Sequence, residues 1–143
     1  MGAYPVYSGA GVARVPGRWN AADQPAIYAS LAFSTALLEK LARLGELPSN
    51  QHRVEITLPE GLSYEELGPE SLRGWDDHVP DRARAFGAAW FAQARSAVLI
   101  VPCVIAWPDR NVLINPDHPE ADGITVGRET LVRWDERLFG GTS

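Results

Sequence analysis

Apolar residues recur at helical spacing over residues 31–44, where Phe33, Leu37, Leu41 and Leu44 fall on one stripe. That spacing predicts an amphipathic helix. Ser30 or Ser34 can cap its start, and Gly45 fits its end. Just before it, Pro25-Ala26-Ile27-Tyr28-Ala29 reads as a short strand. Residues 53–58 alternate Val54, Ile56 and Leu58 against polar neighbours, the pattern of a half-buried strand. The stretch 58–80 is punctuated by Pro59, Gly61, Gly68, Pro69 and Gly74 and reads as irregular. Asp81 can cap a second helix over 82–94, with Ala83, Phe86, Trp90 and Ala94 on its inner face. Residues 96–106 form a continuous apolar run, read as a buried strand broken or bulged at Pro102. Residues 111–114, 124–126 and 131–134 read as further short strands, and residues 1–16 as a loop or short edge strand.

Strands outnumber helices in this reading. It predicts an α+β fold of small mixed sheets with two main helices. A doubly wound parallel fold needs more helices. The chain has 143 residues, so one domain spanning 1–143 with one core is expected. A content of 45% hydrophobic and 22% charged residues excludes a disordered chain. Five Trp exceed what such a core needs, so some are expected to line a groove or anchor a partner.

The charge balance changes the list of partners. Thirteen basic against eighteen acidic residues give a net charge of −5, and the basic residues are scattered. A nucleic-acid binder carries a basic face, so no direct nucleic-acid partner is expected. The single cysteine, Cys103, excludes an intrachain disulfide and points to a reducing compartment. The N-terminus has no signal-peptide pattern, and the longest apolar run is too short to span a bilayer. The expectation is a cytoplasmic protein with no membrane partner.

General motifs add little. There is no Gly-rich phosphate loop, and His52, His78 and His118 lie far apart beside one cysteine, so no metal is expected. Asp117-His118 near Asp109 reads as a solvated turn. A Ser-His-Asp triad has no nucleophile elbow to support it. Arg18 reads either as a surface arginine stacked on Trp19 or as a ligand-binding guanidinium. Tyr28 reads as a core tyrosine with its hydroxyl at the rim. Glu39 falls nearly opposite the apolar stripe of its helix, either pairing with Arg43 in solvent or lining a cleft. Cys103 reads as a small buried residue. Asn111 and Asn115 either close turns or hydrogen-bond a ligand's ribose or amide.

Taken in order, the stretches GRWN, AIYAS, ALLEKL, VPCVI, NVLINPDHP and WDERLF resemble the RES-domain family from about Gly9 to Phe139. The resemblance implies an ADP-ribosyltransferase-like fold in a bacterial toxin of a type II toxin–antitoxin pair. The implied substrate is NAD⁺, cleaved at the nicotinamide–ribose bond. It is either degraded by water or phosphate, or used to transfer ADP-ribose to a protein such as phosphoribosyl pyrophosphate synthetase. The implied partner is an antitoxin with an Xre-like helical domain. A catalytically inactive nucleotide-binding module of the same fold is the alternative. By position, the family's Arg, Glu and Ser fall on Arg18, Glu39 and Cys103, and its active-site tyrosine on Tyr28. Glu39, Arg18 and Tyr28 are the implied catalytic residues. Arg18, Asn20, Tyr28, Cys103 and Asn111 are the implied binding residues. Cys103 departs from the family's serine, keeping its size and losing a strong hydroxyl donor. The chain also begins close to GRWN, so it is expected to lack the extra N-terminal strand of many relatives.

Overall fold

The computed structural model describes residues 16–140. A four-stranded mixed sheet organises them. Its strands are β1 (Ile27–Ser30), β4 (Tyr64–Glu66), β5 (Val98–Pro102) and β6 (Arg110–Ile114), in the order β1-β6-β5-β4. The β1/β6 and β6/β5 pairs are antiparallel and the β5/β4 pair is parallel. Two small ladders complete the strands. β2 (His52–Arg53) pairs with β8 (Thr130–Leu131), and β3 (Ile56–Thr57) pairs with β7 (Thr125–Val126). The helices are α1 (Phe33–Leu44) and α2 (Asp81–Ala92). The expected α+β class is therefore the one observed.

β5 and the Val112–Ile114 half of β6 are apolar at every position because both faces of the sheet are covered there, whereas β6 begins with the polar Arg110 and Asn111. Alternation along β1 assigns the faces. Tyr28 packs with Leu99, Val101 and Leu113 against Trp19, Trp75 and Trp90. Ile27 and Ala29 point the other way, to Val98, Val112 and Ile114. The expected single core is thus two clusters separated by the sheet. Three of the five Trp, at positions 19, 75 and 90, build the first cluster and are buried. Trp107 is exposed, and Trp134 lines a cavity.

Several local expectations need correction. The N-cap of α1 is Ala32, with no side-chain cap; the Ser30 hydroxyl is bonded to Asn111 instead. Gly45 does end α1, in the left-handed conformation at φ 70°, with its N–H on the Leu41 carbonyl. The apolar stripe of α1 is only partly buried: Leu41 is covered, whereas Phe33 is 50% exposed and Leu44 45%. The helix packs against the edge strand β1, and its Glu39 reaches Asn111 on β6. The alternating run 53–58 is two strands in two ladders, interrupted at Val54-Glu55. The irregular stretch contains β4. The second helix begins at Asp81, after Pro80, and its buried positions are Ala83, Gly87 and Trp90. Ala94 lies beyond its end, exposed, at φ 49°.

Candidate active site

Residues 17–28 fold back on themselves. Asn20 is fully buried, and its side chain is spent on this turn. Its Oδ1 accepts from the Gly17 N–H (2.8 Å) and the Tyr28 hydroxyl (2.7 Å). Its Nδ2 donates to the carbonyls of Ala21 and Gln24. The Tyr28 oxygen in turn accepts from the Trp19 N–H at 2.9 Å. Gly17 is required here, because a Cβ would come within 2.7 Å of the Tyr28 oxygen. The turn rests on α2, where Arg84 donates twice to the Gly17 carbonyl. Asn20 therefore holds Tyr28 in place.

Tyr28 is neutral at physiological pH. Burial pushes its phenol up to about 12, against the Trp19 N–H and the charges of Arg84, Arg43 and Arg18, which favour ionisation. Its hydroxyl donates once and accepts once within the turn. What Tyr28 adds to its surroundings is the face of its ring. Arg18 sits beside it, with Nη1 donating to the carbonyls of Trp75 (3.0 Å) and Asp77 (2.8 Å). One end of the guanidinium thereby ties the 67–80 loop to the turn.

The second half of the site comes from α1, β5 and β6. Glu39 is half-buried, and its carboxylate is held from both sides. Asn111 Nδ2 donates to Oε2 at 3.2 Å, and the Cys103 thiol approaches Oε1 at 3.7 Å. The Ser30 hydroxyl donates to Asn111 Oδ1 at 2.7 Å. These contacts follow from the sheet register, which sets Asn111 opposite Ser30 on one side and Val101 on the other. Cys103 lies just beyond the end of β5.

The two halves meet at a cleft of about 190 Å³ walled by Tyr28, Ser30, Glu39, Lys40, Arg43 and Asn111. Beside it, sharing Tyr28, Ser30 and Lys40, lies a cavity of about 740 Å³ with Ile27, Val112 and Ile114 on the sheet side. Arg53, whose guanidinium lies 4.9 Å over the Phe33 ring, and Trp134 also line it. The indole N–H of Trp134 is buried with no hydrogen-bond acceptor among the described residues.

Of the six residues expected at the site, Tyr28, Glu39 and Asn111 line the cleft. Cys103 touches Glu39 from behind, Arg18 braces the adjoining loop, and Asn20 is internal to the turn. Ser30 and Trp134 were missed. The alternation that puts Ser30 on the same face as Tyr28 was the available signal for the first. Among the described residues no cluster of His, Cys, Asp and Glu is arranged to hold a metal ion. His118 caps a 3₁₀ turn over Pro119–Gly123, and Asp109 accepts from Thr35. No helix among these residues is long and apolar enough to cross a membrane.

The chain is 38% identical over 138 residues to the Prs ADP-ribosylating toxin of Sphingobium sp. (strain YBL2), covering 92% of this chain and 86% of that one. It is 33% identical over 143 residues to Toxin Res of Pseudomonas putida, covering 97% of each. A third relative, Toxin Res of Photorhabdus laumondii, is 32% identical over 77% of this chain and 72% of its own. The RES domain matches residues 2–135, and the chain belongs to the RES domain family.

Proposed function

We propose that this protein is an NAD⁺-consuming toxin that cleaves the nicotinamide–ribose bond and transfers ADP-ribose to a protein. One observation carries the reading: a carboxylate, Glu39, is held by Asn111 and Cys103 in a cleft that a neutral tyrosine, Tyr28, also lines. When the C–N bond breaks, its electron pair goes to the pyridinium nitrogen, so nicotinamide leaves neutral and needs no proton. Positive charge grows on the ribose. Catalysis is then mostly positioning and charge stabilisation. Glu39 stabilises the oxocarbenium-like ribose and orients the incoming nucleophile, which bonds to C1′ and loses its proton. The Tyr28 ring stacks on nicotinamide, and its high pKa keeps it out of proton transfer.

The dinucleotide is too long for the small cleft, since nucleotide-sized ligands fill about 300–1,000 Å³. We place its adenylate half in the adjoining cavity, with Lys40 and Arg53 toward the diphosphate. Arg18 is assigned to the diphosphate or the ribose hydroxyls, and it braces the loop with Nη1. The Sphingobium relative, a Prs ADP-ribosylating toxin, supports a protein acceptor, such as phosphoribosyl pyrophosphate synthetase. The relatives named Toxin Res support pairing with an antitoxin, here one with an Xre-like helical domain.

The test uses the antitoxin-free chain and NAD⁺ labelled in the ADP-ribose half, with cell lysate. A labelled protein band together with free nicotinamide, both lost in Glu39→Gln, is expected. Soluble ADP-ribose or its phosphate without a band would reassign the chemistry to NAD⁺ degradation. Nucleotide binding without nicotinamide release would identify an inactive module.

A further inference from the structure

The geometry points to Ser30 as a positioning residue for Glu39, acting through the side chain of Asn111. The inference rests on the reading of Glu39 as the group that meets the ribose. A carboxylate only accepts hydrogen bonds, so Asn111 must turn its NH₂ toward Glu39 Oε2. Its Oδ1 then faces Ser30, and the Ser30 hydroxyl, 2.7 Å away, must be the donor. The amide orientation thus follows from the chemistry of its two neighbours. The torsion that swings an Asn amide is soft and broad. With one anchor the amide can rotate; with two it is fixed. The register places Ser30 and Asn111 directly opposite each other on β1 and β6, so the backbone sets the first anchor.

This matters more here than with a serine at position 103. A thiol is a weak donor, and Cys103 Sγ is 3.7 Å from Glu39 Oε1. Asn111 is the stronger of the two donors on the carboxylate. Whatever holds Asn111 therefore holds Glu39.

The test is a double-mutant cycle on nicotinamide release from NAD⁺. Ser30→Ala should lower kcat by about fivefold, the loss of one neutral hydrogen bond, with KM nearly unchanged. Ser30→Thr keeps the hydroxyl on a β-branched residue suited to a strand and should restore most of the rate. In an Asn111→Ala background, Ser30→Ala should cost nothing further. Losses that multiply, or a rise in KM with kcat unchanged, would mean that Ser30 meets the substrate itself and would overturn the inference. Wild-type protein that releases no nicotinamide would sink the NAD⁺ reading, not this one. The same cycle is then read in urea unfolding, where non-additive losses support the Ser30–Asn111 coupling and additive losses overturn it.

Discussion

The Cys103 thiol is fully buried and lies 3.7 Å from Glu39 Oε1. A hydroxyl there would donate a shorter and stronger bond to the carboxylate. Cys103→Ser should therefore raise kcat for nicotinamide release by about two- to fivefold without changing KM, a gain of up to about one ordinary hydrogen bond. Cys103→Val removes the donor and should lower kcat. A rate drop in Cys103→Ser would show that sulfur itself contributes, and that Glu39 does not profit from tighter anchoring.

Gly87 in α2 has no room for a side chain. A Cβ would sit 1.7 Å from the Trp19 carbonyl oxygen, which is backbone and cannot swing aside. Alanine is the better helix former by about 1 kcal/mol. Overpacking of this kind costs about 3 kcal/mol, so Gly87→Ala should be destabilising on balance. The expected fall in Tm, by calorimetry, is about 5–10 °C. Because the displaced turn also carries Tyr28, activity should fall at temperatures where the variant is still folded. Unchanged stability would show that α2 does not rest on the Trp19 turn.

Much of this was legible in the chain and some was not, for physical reasons. β1, both helices and the buried run ending at Pro102 carry strong periodic or apolar signals. The burial of α1 does not follow from its stripe, because periodicity identifies an apolar face and not what covers it; Phe33 and Leu44 remain exposed. β4 has three residues and no alternation, and it exists because the edge of β5 offers a parallel ladder. Glu39 was recognisable as lying off the stripe, yet its partners sit 64 and 72 residues away and depend on register. The family resemblance implies Asn20 as a binding residue. Only the folded turn shows its amide wholly engaged with Gly17, Ala21, Gln24 and Tyr28.

Tyr28 makes stability depend on pH in the alkaline range. An ordinary tyrosine ionises near 10; burial moves Tyr28 to about 12. Between those values the unfolded chain loses its proton first. The stabilisation is therefore complete below about pH 10 and drains away as pH rises toward 12, a change of roughly 2 kcal/mol. Urea unfolding at about pH 9 and pH 11.5 should show wild type losing stability faster than Tyr28→Phe, whose ring cannot ionise. At the lower pH the variant should be weaker by about 1–3 kcal/mol, since the Trp19 N–H loses its acceptor and Asn20 Oδ1 loses one of its two donors. Parallel pH dependences would mean that Tyr28 ionises as readily folded as unfolded.

Trp134 offers a test of where the two halves of the proposed substrate lie. It lines the larger cavity, and its buried indole N–H has no acceptor within the described protein. Adenine ring nitrogens and ribose oxygens are acceptors, and a contact this far from the scissile bond contributes equally to ground and transition states. Trp134→Phe should accordingly raise KM for NAD⁺ by about fivefold and leave kcat alone. Nicotinamide mononucleotide keeps the scissile bond and lacks the adenylate half. With that substrate, wild type and variant should have the same kcat/KM, and both should fall below wild type on NAD⁺. Equal losses on both substrates would mean that Trp134 acts through the fold. No loss on either would place the adenylate outside this cavity.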